Sequence, residues 1–179
     1  MVPIILYLFN IQQVKIKIWI SVALATIGLY ILLDPRGGRM NWGDILTFGC
    51  ALGFAFHIIS QGYYVKKGVR ILPFFLVQAW AVSGLSFLNS LIFEPQFAIW
   101  STRLISALLV TGIAATFISI LIMIWAQQIL NPSQTAIIFA LEPVFAAFFA
   151  ILFAGEVLGF LGYVGGGLIV LAVAYGESG

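Results

Sequence analysis

Asn131-Pro-Ser-Gln-Thr-Ala-Ile-Ile-Phe-Ala-Leu-Glu-Pro-Val-Phe-Ala-Ala-Phe-Phe-Ala-Ile-Leu-Phe-Ala-Gly-Glu156 is apolar from residue 136 to residue 155, except for Glu142 and the proline after it. The stretch opens with Asn-Pro, a turn signal, followed by Ser133 as a candidate N-cap. Ser133 to Glu142 is nine residues, or about 14 Å of helix at 1.5 Å per residue, which sets the carboxylate near the middle of a hydrocarbon core about 30 Å thick. A carboxylate at that depth is expensive and must face protein or water rather than lipid. Pro143 removes one backbone hydrogen bond, and its ring crowds the carbonyl of Phe139. The helix is therefore expected to kink one turn ahead of the proline.

The flanking sequence has the same character. Hydrophobic residues make up 63% of the chain and charged residues 8%, against about 25% charged in an ordinary soluble domain. Residues 1–9 are apolar but too short to span, and residues 10–17 form a polar loop. Six full spans are expected at 18–33, 42–64, 71–93, within 104–130, at 133–154 and at 158–175. This describes an all-α, polytopic membrane helical bundle with an N-terminal half-helix. Its principal partner is the lipid bilayer. A net charge of +2 suits the orientation of loops and points to no nucleic acid. One cysteine (Cys50) and one histidine (His57) leave no set of ligands for a metal. No phosphate-binding glycine loop occurs. His57 has Ser60 nearby but no supporting motif for a nucleophile, so neither an enzyme nor a cofactor is expected.

Two kinds of helical stripe stand out. Ser21, Ala25 and Gly28 recur at helical spacing, as do Gly159, Gly162 and Gly166, which continue from Gly155. Small residues let helix backbones approach closely in lipid, so both stripes read as helix-packing faces. The polar stripe is Thr47, Cys50, Phe54, His57 and Gln61, all on one face. On the Glu142 helix, Phe145, Phe149 and Phe153 share the broad face of the carboxylate. An acid among aromatic rings can hold a cation through charge and ring quadrupole together. The substrate-binding candidates are thus Glu142, Phe145, Phe149, His57 and Gln61, with Pro143 as the helix kink. The competing reading of Glu142 is structural, a side chain tying two helices together. Gln78, Asn89 and Gln127 fit neutral amides that bond between helices, and Glu156 fits an interfacial position at a helix end.

Gln134-Thr-Ala-Ile-Ile-Phe-Ala-Leu-Glu-Pro-Val-Phe-Ala-Ala, followed by Gly155-Glu156 and a glycine-rich last span, resembles the penultimate and last helices of an EamA domain of the drug/metabolite transporter superfamily. The resemblance implies ten helices in two inverted repeats. On that basis residues 1–35 correspond to the end of the first repeat, and residues 42–176 to the second repeat of five helices. The chain then covers the tail of helix 4 and helices 5–10, and is expected to be N-terminally truncated. Val2-Pro3-Ile followed by a basic turn echoes Glu142-Pro143-Val, as an inverted repeat requires.

The implied function is alternating-access transport, in the direction of export, of a small metabolite or drug-like solute. Its partners are that solute, protons exchanged at Glu142, and either a second copy of the chain or the absent repeat. The alternative is a non-transporting membrane fragment or assembly subunit. Lys15, Lys17, Lys66, Lys67 and Arg70 on one side outnumber Arg36, Arg39 and Arg103 on the other. That asymmetry implies a cytoplasmic C-terminus in a bacterial inner membrane.

Overall fold

The computed structural model describes residues 1–33, 41–94 and 99–178. These are helical, with no strand among them. The elements are α1 (Val2–Leu8), α2 (Ile16–Leu33), α3 (Trp42–Lys66), α4 (Ile71–Phe93), α5 (Thr102–Leu109), a π-helical segment (Val110–Ile118), α6 (Ser119–Ala126), α7 (Pro132–Phe139), α8 (Glu142–Ala154) and α9 (Phe160–Glu177). Among the described residues, six stretches are long and apolar enough to cross a membrane: α2, α3, α4, residues 102–126, residues 132–154 and α9. The polytopic helical bundle with a short leading helix is therefore the observed architecture. Arg36 and Arg39 lie outside the described residues.

Helix ends follow local chemistry. Asn41 Oδ1 accepts from the Gly43 N–H at 2.7 Å, while Asp44 Oδ2 accepts from the Asn41 N–H at 2.7 Å, so α3 begins with its first donors satisfied. The α7 N-cap is Asn131 rather than Ser133. Its side chain accepts from the Gln134 N–H at 2.9 Å, and Gln134 Oε1 accepts from the Asn131 N–H at 3.1 Å. The reason is the reciprocal box that Asn-x-x-Gln can close, with Pro132 at the first helical position where its missing N–H leaves nothing unpaired. Asn131→Ala is expected to lower stability by about 1 kcal/mol, whereas Ser133→Ala, which removes no cap, should not; denaturant titration in micelles separates the two. At the end of α8, Gly155 adopts φ 68° and ψ 21°, and the Glu156 N–H reaches back to the Ala150 carbonyl at 3.3 Å. This closing turn needs a left-handed residue, which explains the Gly-Glu pair.

The chain divides into two compact units, Met1–Ser60 with Leu130–Gly179, and Gln61–Ile129. In the first, α2 and α9 form the most extensive helix pair. They run antiparallel: a β-carbon at Gly176 would lie 2.9 Å from Ser21 Oγ, and one at Gly28 would lie 2.7 Å from the Gly165 carbonyl oxygen. The buried face of α9 is Gly162, Gly165, Ile169, Ala172, Val173 and Gly176. Ser21 and Gly28 are buried against it. The close approach is thus made by Gly165, not by Gly159 or Gly166, neither of which has an atom within 4 Å of a β-carbon position. Gly162 is buried, but its missing side chain makes room for Leu158 of its own chain segment. Ile18, Ile137 and Val173 form a core where α2, α7 and α9 meet, and α1 packs on α7.

In the second unit, Val65, Phe75 and Ile124 form the core, joined by Phe74, Ile120 and Leu121. Phe75 meets Phe117 edge-on with ring centroids 5.3 Å apart. The span expected as a continuous α-helix instead widens into π-turns over Val110–Ile118. The Thr116 hydroxyl donates to the Thr111 carbonyl at 2.9 Å and the Ser119 hydroxyl to the Ala114 carbonyl at 3.0 Å. Both reach five residues back, the spacing of the π-helix, and hydroxyl groups competing for backbone acceptors in this way loosen the α-ladder.

Candidate functional site

The site begins where the sequence forbids a continuous helix. Pro143 has no N–H to give the Phe139 carbonyl, so the fifth span breaks into α7 and α8. Ala140 (φ −63°, ψ −14°) and Leu141 (φ −73°, ψ −16°) tighten into a single short turn. Their N–H groups bond three residues back, to Ile137 and Ile138, both at 3.0 Å. This is 3₁₀ geometry. A new helix then starts with Glu142 at its first position and Pro143 at its second, where proline is tolerated. The expected kink is therefore a full interruption. With 8 residues before it and 13 after, it falls near mid-span.

Glu142 consequently stands in the first turn of a half-helix, at the positive end of its dipole, with its side chain uncovered by the rest of the chain. Phe145 and Phe149 are likewise exposed, and α8 buries no residue. Phe149 stacks on Phe153 at 5.9 Å and meets Phe148 edge-on at 5.5 Å. The acid and its aromatic neighbours thus lie on one open half-helix.

His57 joins this region indirectly. Its ring stacks on Phe54 at 6.1 Å, with 4° between planes, and Phe54 meets Phe139 edge-on at 5.6 Å. Phe139 ends α7, next to the break. An aromatic ladder therefore runs from α3 to the interruption. Phe139 was legible only as the carbonyl that Pro143 crowds, and its ring contact depends on where α3 lies. Gln61 belongs to the other unit, where its Nε2 donates to Gln78 Oε1 at 3.3 Å. Gln61 is 2% exposed and Gln127 is fully buried. The structure does not gather His57 and Gln61 around one described cavity.

Beside the break lies a cavity of about 280 Å³, bounded by Pro3, Ala25, Thr26, Phe139, Ala140 and Pro143 among others. Thr26 turns its hydroxyl to the Val22 carbonyl at 2.7 Å, so the wall is largely apolar. Pro3 and Pro143 each occupy one of the first two positions of their helices, α1 and α8, and both line this cavity. Each of these helices is followed by an 18-residue helix, α2 or α9. Ala25, expected in a packing stripe, faces this cavity. Glu142 is not part of its wall. Among the described residues, no group of three His, Cys, Asp or Glu side chains gathers to hold a metal.

Comparison with known proteins agrees with this architecture. Residues 41–175 match the EamA-like transporter family. An uncharacterized transporter of Archaeoglobus fulgidus is 35% identical over 154 residues, a match covering 86% of this chain and 48% of that relative. The chain thus spans about half the length of the curated relative it matches. No solved structure matches it. With three quarters of its length matched and six helices able to cross a membrane, the chain is an integral membrane protein of the EamA-like transporter family.

Proposed function

We propose that the protein moves a small metabolite or drug-like solute out of the cell by alternating access, with Glu142 as the solute and proton site. The observation that carries this reading is the interruption at Ala140 and Leu141. It sets an uncovered glutamate on the first turn of a half-helix near mid-span, the depth at which broken helices bind solute in secondary transporters. Phe145 and Phe149 supply an aromatic face for an amphipathic solute. Phe54 and Phe139 link His57 to the same break. The recurrence of a proline-started helix followed by an 18-residue helix supports inverted repeats, with residues 1–35 as the end of the first and 42–176 as the second. Lysines at the start of α2 and the end of α3 support a cytoplasmic C-terminus in a cytoplasmic membrane.

Flux in proteoliposomes tests this. Solutes from a panel of amphipathic cations and small metabolites should accelerate decay of an imposed proton gradient above the rate in protein-free vesicles. Absence of stimulated flux across the panel, in vesicles whose protein is shown to be inserted and folded, would favour a non-transporting assembly subunit.

A further inference from the structure

A polar cavity lies apart from the proline break, at the membrane face where α2 and α7 begin and α9 ends. It holds about 90 Å³ and is lined by Gln12, Lys15, Lys17, Asn131, Ser133 and Gln134 among others. We propose that it binds a phosphate group, presented by an anionic phospholipid headgroup or by a free phosphate anion.

The donors converge from two elements. Lys15, just before α2, and Lys17, in its first turn, bring two ammonium groups. Lys17 Nζ sits 5.1 Å from the centroid of the Tyr175 ring, which holds it at the interface. From the other side comes the start of α7. Pro132 has no N–H, Gln134 donates to Asn131 Oδ1, and Thr135 donates to the Asn131 carbonyl at 3.0 Å. That leaves Ser133 as the first-turn residue whose N–H has no partner within the helix. The Ser133 side chain is 2% exposed, and its hydroxyl is buried with no hydrogen-bond partner. A buried hydroxyl is normally paired. Here it stands on a cavity wall beside two lysines and amides that can donate. Such a surface suits a ligand that offers only acceptors and negative charge. One carboxylate approaches, since Gln134 Nε2 donates to Glu177 Oε2 at 3.1 Å. Two ammonium groups against one carboxylate leave the site net positive. Basic pockets between helices at a membrane face recognise anionic headgroups in this way.

The test uses the whole chain in nanodiscs of phosphatidylcholine alone, of phosphatidylcholine with phosphatidylglycerol, and of phosphatidylcholine with inorganic phosphate. Retained lipid is counted by native mass spectrometry, and melting is followed in parallel. Phosphatidylglycerol should be retained selectively. The Lys15→Gln/Lys17→Gln pair should weaken retention on the order of 25-fold, from two lysine contributions at a membrane surface. The Lys66→Gln/Lys67→Gln pair removes the same charge elsewhere and should leave retention unchanged. Ser133→Ala should weaken retention without lowering the melting temperature in phosphatidylcholine alone, because its hydroxyl has no partner to lose. If inorganic phosphate alone raises the melting temperature as much as phosphatidylglycerol does, the free anion is the ligand. Equal retention of both lipids with no response to phosphate, or equal losses from both lysine pairs, would overturn the assignment.

Discussion

Glu142→Gln is expected to reduce solute-driven proton exchange to the rate of protein-free vesicles while leaving the fold intact. Glutamine preserves the size of the side chain and removes its charge. The carboxyl stands on the first turn of α8 and is not covered by other parts of the chain, so neither core packing nor a buried hydrogen bond is lost. The favourable placement of an acid at a helix N-terminus is worth only about 0.3–1 kcal/mol, too little to unfold the protein. If a proton and a cationic solute compete for one negative charge, removing that charge ends the exchange. Glu142→Asp should keep part of the flux with an altered pH profile, since the charge survives and its reach shortens. Flux and pH profile in proteoliposomes, with unfolding followed in the same preparations, decide the matter. Wild-type flux from Glu142→Gln with an unchanged pH profile would make the glutamate a structural group.

Gly165→Leu should separate α2 from α9 and give the largest loss of stability in the protein. The contact is between backbones. A β-carbon at Gly165 would lie 2.5 Å from the Leu32 nitrogen and 2.6 Å from the Gly28 carbonyl oxygen, and one at Gly28 would lie 2.7 Å from the Gly165 carbonyl oxygen. Neither neighbour is a flexible side-chain tip that can swing away. Even Gly165→Ala should cost about 1–3 kcal/mol, the usual range for overpacking, and leucine more. Gly166→Ala, with nothing within 4 Å of its β-carbon position, should be close to neutral. In lipid the pair is held by close packing rather than by exclusion of water, so lost contact is not replaced by a hydrophobic force. Cysteines placed at Ser21 and Gly176 in a Cys50→Ser background should cross-link in the parent protein and fail to do so with Gly165→Leu. A retained cross-link and an unchanged unfolding midpoint would mean that the helices do not meet at this register.

The membrane spans, and a break in regular helix ahead of Pro143, were legible in the sequence alone, although the break is a full interruption where a kink was expected. Each depends on quantities that run along one strand of chain: apolar length against bilayer thickness, and the missing N–H of a proline. The Gly155 turn is local in the same sense. What only the tertiary structure decided is which faces meet. Helical periodicity favoured Gly159, Gly162 and Gly166 as the packing stripe, but glycines at 165 and 167 offer small residues on other sides of α9, and periodicity along one helix does not say which side meets a partner. The approach of Gly28 selects Gly165. Likewise His57 and Gln61 share a face of α3 by spacing, yet the first stacks on Phe54 beside the break and the second pairs with Gln78. The Ser133 cavity combines the lead into α2, the start of α7 and the end of α9, stretches far apart in the chain. A helix's period tells which of its own residues share a side; only the partner that arrives from elsewhere determines what that side touches.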